Sequence, residues 1–421
     1  MRVTTALQGV VVLDLGQVYN GPYCTHLLRH LGATVVKVEP PSGDPVRWRS
    51  DSATSGQAFM MLNAGKRGLR LDLKHPEGKA LFLDLVRCAD VVVENFAPGA
   101  LDRLGLDWPT LSQANPRLVL ASSSGYGSDG PYSALRGMDV TVQAMTAVLA
   151  TTGFPDGGPV KAGPALADFG SGVHLACAVL AALFQRERTG LGQRVEVAMQ
   201  DAVLPSLTSN IAGALEGGPD FPERTGNRHG GLAVVPYNVY PASDGWMAVL
   251  CLRDRHWEAL CAVMQRPDLA ADAALATPSG RVARMDDVDA AISAWTVGSS
   301  KDELFRLLQD ADIPSAPVRS LHEVIHDPHL RHRGMLQEVG RVIAGPRSSG
   351  HRCAWARPRS RSSGRHRCSA STPTRCWVNC CAWTRSGSGS CATQASSRCT
   401  GARGTSPSSE PARAGASSVR G

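Results

Sequence analysis

The stretch GVVVLDLGQVYNGPYCTHLLRHLGATVVKVE, Gly9 to Glu39, decides the fold. It opens with an apolar run (Val10 to Leu15), crosses a Gly21-Pro22 turn, continues with helically spaced apolar residues through His30, and ends in a second run (Ala33 to Glu39). Strand, helix and strand in that order make a βαβ unit with a short crossover. A second unit follows: a strand over Gly68 to Leu73, a helix from Pro76 to about Cys88 with proline in its first turn, and a strand over Asp90 to Glu94. Leu118 to Ser123 adds another strand, ended by the turn Gly125-Tyr126-Gly127. This alternation predicts an α/β fold with an open, mainly parallel sheet and helices on both faces. Ligands of such sheets bind beyond the carboxyl ends of the strands, which selects the loops at Gly16 to Pro22, Lys74, and Asn95 to Gly99.

Further along, residues 139 to 215 read as mostly helical, with Ala-rich segments at Gln143 to Ala150 and Gly172 to Gln185. A Gly/Pro-rich loop, Thr151 to Asp168, separates them. From Asn227 to Glu338 a smaller α/β unit is expected. Its parts are a strand-turn-strand over Pro236 to Leu250 turning on Asp244-Gly245, helices near His256 to Met264, Asp286 to Trp295 and Lys301 to Asp310, and a strand at Ile313 to Val318. The domain reading is therefore 1–215, 225–338 and a separate tail, 346–421.

Charge sets the tail apart. The chain of 421 residues carries a net +7, yet 13 Arg and a single acid, Glu410, fall after Gly345, so the preceding part is acidic overall and the excess positive charge is confined to the tail. That distribution argues against nucleic acid as a partner. The longest apolar runs, such as Val173 to Phe184, are too short to span a bilayer, and no signal-peptide pattern opens the chain, so a cytoplasmic protein without membrane contact is expected. Cysteines Cys24, Cys88, Cys177, Cys251 and Cys261 lie in apolar segments and read as reduced core residues. Seven more lie in the tail, where Cys376, Cys380 and Cys381 lack the paired spacing of a metal site. Rebuilding codons one base out of register turns Cys376-Trp377 into Leu, Trp377-Val378 into Gly and Trp383-Thr384 into Asp whatever the codon usage. The rebuilt string has an amphipathic helical period. The tail thus reads as an out-of-frame, disordered replacement of a genuine C-terminal segment.

A dinucleotide site is the first chemistry to weigh, because Glu39 ends the second strand where a ribose-binding acid would lie. The first turn has no GxGxxG, and Pro22 lacks an N–H where a pyrophosphate needs one.

Ordered blocks along the chain instead resemble the class III CoA-transferases, the CaiB/BaiF or formyl-CoA transferase-like family. The blocks are Gly9 to Arg47, Asn63 to Leu106, Asn115 to Tyr132, Thr151 to Gly172 and Arg188 to Leu204, with further similarity at Pro236 to Trp246 and Ile313 to Gly334. The resemblance covers roughly residues 9–340 by spacing and order. It implies a large Rossmann-like domain, a small α/β domain and an interlocked homodimer. The implied nucleophile is Asp168 in Ala167-Asp168-Phe169-Gly170-Ser171-Gly172, whose alternative role is that of a helix N-cap. Backbone N–H groups at Gly170 to Gly172 would stabilise an oxyanion. CoA contacts map onto Gln17, Val18, Tyr19 and Asn20; onto Leu71, Asp72, Leu73 and Lys74; onto Asn95, Phe96 and Ala97; and onto Arg103. Lys74 and Arg103 would meet the nucleotide phosphates. Gly230-Gly231 corresponds either to a mobile substrate loop or to a plain hairpin turn. The implied substrates are an acyl-CoA and a small carboxylic acid, with no metal or redox cofactor; small residues around the nucleophile loop suit a short dicarboxylate such as succinate, oxalate or a related acid.

The pattern departs from formyl-CoA transferases at Tyr19-Asn20, Pro40 and Gly137, which argues against formyl-CoA and oxalate as this chain's substrates. A 2-methylacyl-CoA racemase of similar fold would need a proton-accepting His where Met138 stands in Gly137-Met138-Asp139, and His174 reads as a packed helix residue instead. The remaining alternative is an inactive or misfolded product of a frameshifted gene.

Overall fold

The computed structural model describes residues 5–48, 55–337 and 354–355. In chain order it opens with β1 (Val11–Asp14), α1 (Asn20–His30), β2 (Thr34–Glu39), α2 (Ser55–Asn63), β3 (Arg67–Arg70), α3 (Pro76–Arg87) and β4 (Val91–Glu94). Then come α4 (Ala100–Arg103), α5 (Trp108–Ala114), β5 (Val119–Ser124), α6 (Asp139–Met145), α7 (Val148–Thr151), α8 (Leu166–Thr189), β6 (Arg194–Ala198), α9 (Met199–Val203) and α10 (Thr208–Gly217). Strands β1 to β6 form one sheet in the order β3-β2-β1-β4-β5-β6, and every pairing is parallel. Strand order reverses between β1 and β4, so the loops leaving these two strands part to opposite faces and open a crevice between them.

The apolar runs are continuous because both faces are covered. Val12, Val35, Val91, Val93, Val119 and Ala121 pack against Cys24 and Leu28 of α1 and Leu175, Val179 and Ala182 of α8. Their neighbours Val11, Leu13, Val36, Val92 and Leu120 pack on the other face against Phe82, Val86 and Leu111 of α3 and α5. A second, antiparallel sheet is built from β7 (Tyr237–Ala242), β8 (Gly245–Leu250) and β9 (Ser315–Pro317) in that order. Tyr240, Met247 and Val249 of this sheet form a separate core with Trp257 and Leu260 of α11 (Asp254–Val263) and with Ile292, Leu304 and Leu308 further on.

Several expectations need correction. Gly21-Pro22 is no turn but part of the first turn of α1, where the missing proline N–H costs nothing. The third strand stops at Arg70, which frees Leu71 to Lys74 as a loop. The span 139–215 contains strand β6, whose alternating Arg-Val-Glu-Val pairs with β5 as the sheet edge. Helix α8 begins at Leu166, so Asp168 lies inside its first turn rather than in the preceding loop. His174 and Cys177 are exposed, and Cys88 is half-buried. Apart from Ala354–Trp355, which pairs with Leu336–Gln337, the out-of-frame reading of 346–421 lies outside the described residues.

Candidate active site

The loop from β1 to α1 lies at the mouth of the crevice and is held from every side. Gly16 meets Gly21 of α1 so closely that a Cβ on Gly16 would lie 2.8 Å from the Gly21 Cα. Asp14 accepts the Gly16 N–H at 2.9 Å, and buried Lys37 donates to the Gly16 carbonyl. Asn95, just beyond β4, pairs reciprocally with Gln17: its Oδ1 accepts the Gln17 N–H at 2.6 Å and its Nδ2 donates to the Gln17 carbonyl at 2.9 Å. Between these clamps Val18 adopts φ 62°. For a β-branched residue that left-handed conformation costs on the order of 1–3 kcal/mol and survives only where its surroundings over-determine it.

Under the loop lies a buried ionic cluster. Lys66 Nζ donates to Asp14 Oδ2 (2.9 Å), Thr25 Oγ1, Asn63 Oδ1 and the Pro22 carbonyl (2.8 Å each). Lys37 pairs with Asp44 at 3.2 Å and stands 4.0 Å from Asp14. Burial opposes ionisation of Asp14, but Lys37 and Lys66 prevail and hold its carboxyl below the usual range. Burial lowers Lys66 to about 8 despite Asp14. Sequence reading missed these residues. The signal available was a charge inside an apolar parallel strand, Asp14 in VVLDL and Lys37 in VVKVE.

Asp168 is the third residue of α8 and buried, 9% exposed. A helix N-terminus suits a negative charge. The N-cap position is Ala165, so the capping role belongs elsewhere: Asp139 Oδ1 accepts the N–H groups of Ala167 (2.9 Å) and Asp168 (3.3 Å). Asp139 is in turn held by Gln143, whose Nε2 donates to Oδ2 at 2.7 Å and whose Oε1 accepts the Ala162 N–H. The expected oxyanion donors do not survive this geometry. Gly170 to Gly172 lie within the helix, where their N–H groups serve the i→i−4 ladder.

Tyr19 stacks on Phe169 with ring centroids 5.9 Å apart, and Tyr23 meets the same ring edge-on at 4.8 Å. The residue next to Asp168 therefore touches the β1–α1 loop directly. Asn20 forms a bridge: its buried Nδ2 donates to Ser123 Oγ (2.9 Å) and Ser171 Oγ (2.5 Å), tying α1 to β5 and α8.

Of the other expected contacts, Lys74, Phe96, Ala97 and Arg103 gather in an open groove of about 510 Å³ that Ala100 and Leu104 also line. Lys74 and Arg103 are exposed there beside an apolar floor, while Leu71 and Leu73 pack toward the sheet core and Asp72 accepts the Lys74 N–H. A second cleft of about 320 Å³ shares Phe96, Ala97 and Ala100, but four acids, Glu94, Asp102, Asp107 and Glu196, line it against one cation, Arg194, a balance that disfavours phosphates. Gly230 and Gly231 pack against Asn210 and Ser209 of α10. Glu39 is consumed: it takes both Arg47 Nε (2.7 Å) and Nη2 (2.8 Å) and the Asp44 N–H (3.0 Å), which leaves no carboxylate for a ribose. Among the described residues no group of three or more His, Cys, Asp or Glu is placed to hold a metal ion.

Comparison with known proteins places this geometry. The model of the family described as CoA-transferase family III matches residues 7–364. A succinyl-CoA:mesaconate CoA-transferase of Haloarcula marismortui is 40% identical over 344 residues, 79% of this chain and 85% of its own. A formyl-CoA:oxalate CoA-transferase of Streptomyces coelicolor is 39% identical over 349 residues, with 79% and 85% covered. Among solved structures, a CaiB/BaiF family protein of Brucella suis superposes with a TM-score of 0.70 at 32% identity, covering 84% of this chain and 96% of its own. The Mycobacterium tuberculosis protein Rv3272 does so with a TM-score of 0.72 at 29% identity, covering 86% and 94%.

Proposed function

This chain belongs to CoA-transferase family III, and from that premise we propose that it moves CoA from an acyl-CoA to a carboxylic acid through a covalent intermediate on Asp168. The observation that carries the proposal is the position of Asp168 in the first turn of α8, its neighbour Phe169 stacked on the loop between β1 and α1. The Asp168 carboxylate attacks the thioester carbonyl, the C–S bond breaks, and CoA thiolate leaves an acyl-aspartyl anhydride. The thiolate then attacks the aspartyl carbonyl and expels the first acid as its carboxylate. The acceptor carboxylate opens the resulting aspartyl-CoA thioester to a second anhydride, and the thiolate takes the new acyl group, restoring Asp168. Each step exchanges one leaving group for another, so no electron acceptor enters.

In this reading the groove with Lys74, Arg103 and Phe96 receives the nucleotide end of CoA, and the loop Gln17 to Tyr19 receives the thioester end. The two named relatives act with mesaconate and oxalate, both short dicarboxylates. A short dicarboxylate is accordingly our proposed acceptor, with succinyl-CoA the donor to try first, in a cytoplasmic homodimer.

Intact-mass measurement after incubation with succinyl-CoA, followed by peptide mapping, tests the mechanism. A CoA-sized adduct on the Asp168 peptide, discharged by a dicarboxylate and absent in Asp168→Ala, is expected. Transfer that continues in Asp168→Ala would end the proposal. Nothing in the site favours a racemase, since Met138 presents an exposed thioether where a proton acceptor would be needed.

A further inference from the structure

Four buried charges converge on one turn. Asp14, Lys37, Asp44 and Lys66 come from β1, β2, the turn after β2 and the segment before β3, and each side chain is almost wholly removed from water. Buried ion pairs are a poor source of stability, since desolvation consumes what attraction returns, and apolar residues of equal size often serve better. Their arrangement is therefore informative. Both backbone polar groups of Gly16 are taken by this cluster, the N–H by Asp14 and the carbonyl by Lys37. Lys66 adds a grip on the Pro22 carbonyl and on Thr25, both in α1. The cluster thus fixes the chain on each side of Val18, whose left-handed backbone would relax to an ordinary conformation if either side were released.

We propose that Asp14, Lys37 and Lys66 are positioning residues for acyl-CoA: they hold the Gly16–Tyr19 loop in a strained shape that is ready-made for the thioester and so spare the ordering cost on binding. This rests on the transferase reading for its ligand, though not for its geometry. None of the three is assigned contact with substrate; they act through the loop. Asp44 completes the charge balance by pairing with Lys37, and Asn63 and Thr25 fill the remaining acceptor positions around Lys66.

The test uses the full chain and two variants. Asp14→Asn combined with Lys66→Met removes one cation and one anion together, so no single buried charge is stranded. Val18→Gly leaves the cluster intact and removes the strain. For the double variant, hydrogen exchange at the Gly16–Tyr19 amides should quicken about tenfold or more while the amides of β4 and β5 keep their protection. Its KM for succinyl-CoA should rise about tenfold with kcat changed less than threefold, the pattern of a lost preorganised binding loop. Val18→Gly should match or exceed the wild-type unfolding temperature and still raise KM. Quickened exchange with unchanged KM, or exchange unchanged from wild type, overturns the proposal. Should the double variant not fold, an unaltered KM in Val18→Gly overturns it alone. If the wild type transfers no CoA from any donor, the transferase reading fails, and the exchange comparison still decides whether the cluster holds the loop.

Discussion

Replacing Asp139 by Ala tests whether the first turn of α8 is placed from outside the helix. Asp139 Oδ1 takes two backbone N–H groups at 2.9 and 3.3 Å, and Oδ2 takes the Gln143 amide at 2.7 Å. Hydrogen bonds to a charged group contribute about 1.5–3 kcal/mol each when well shielded, but Asp139 is only half-buried and the 3.3 Å bond is weak, so water recovers much of the loss. A destabilisation of about 2 kcal/mol follows, in the range for losing an N-cap. Asp139→Asn keeps an oxygen for the two N–H groups but turns an amide NH₂ toward Gln143. Gln143 cannot flip to answer it without surrendering the Ala162 N–H. That variant should lose about 1 kcal/mol. On the proposed mechanism, displacing Asp168 by about an ångström is enough for a hundredfold fall in kcat. Urea unfolding followed by tryptophan fluorescence gives the stabilities, and separation of CoA esters by chromatography gives kcat. Wild type above Asn above Ala in both quantities is expected. A stable Asp139→Ala, or an unstable one with wild-type kcat, would refute the reasoning.

Removing either cation of the groove, Lys74→Ala or Arg103→Ala, should raise KM for acyl-CoA about five- to tenfold, more at low salt than at high, because exposed charges act through a screened field. The same variants should behave as wild type toward an acyl-pantetheine donor that lacks the nucleotide. Gly16→Ala drives a Cβ to 2.8 Å from Gly21 Cα, so KM should rise as the loop shifts off α1, measurable in the same assay. Acid should destabilise the fold through two carboxylates. Burial works against ionised Asp14 and Glu39, yet Lys37 and Lys66 in the first case and Arg47 in the second hold both below their ordinary values. Their stabilisation is complete above the unfolded carboxylate pKa of about 4 and is lost as pH falls through the lower folded values. Glu94, which burial raises, works in the opposite sense and softens the fall. Urea midpoints between pH 7 and 2.5 should therefore decline mainly below pH 4.

Much of the parallel sheet was legible because its strands carry the strongest signals a sequence offers, apolar runs such as Val10 to Leu15 and Ala33 to Glu39 set apart by helical spacing and a prolyl first turn at Pro76. Strand β6 escaped notice because Arg194-Val195-Glu196-Val197 is short, charged and flanked by helices; only its register against β5 makes it a strand. Helix α2 has little amphipathic contrast to announce it. Motifs named Asp168, Lys74 and Arg103 as candidates, and the structure locates them in the first turn of α8 and along the open groove. The hydrogen bonds of Asn20 and Asn95 were not legible, since their partners Ser123, Ser171 and Gln17 lie 78 residues or more away in sequence. Separation in sequence also hides Lys66, whose partner Asp14 lies 52 residues away: by composition it belongs to the solvated surface and by geometry to the interior.

The reciprocal bonds between Gln17 and Asn95 also say something about time. The loop is encoded within the first 20 residues, but its second clamp is made only after β4 has been synthesised and has docked beside β1. A nascent chain ending before β4 can close its first βαβ unit and still leave Val18 free to choose the commoner backbone. Loops whose restraints come from so far along the chain form late, after the entropy of closing the intervening segment has been spent. The Gly16–Tyr19 loop should be among the last parts of the parallel sheet to reach its native form, and, with the proposed CoA site there, refolding followed by a bound CoA analogue should lag behind refolding followed by burial of the β1–β2 core.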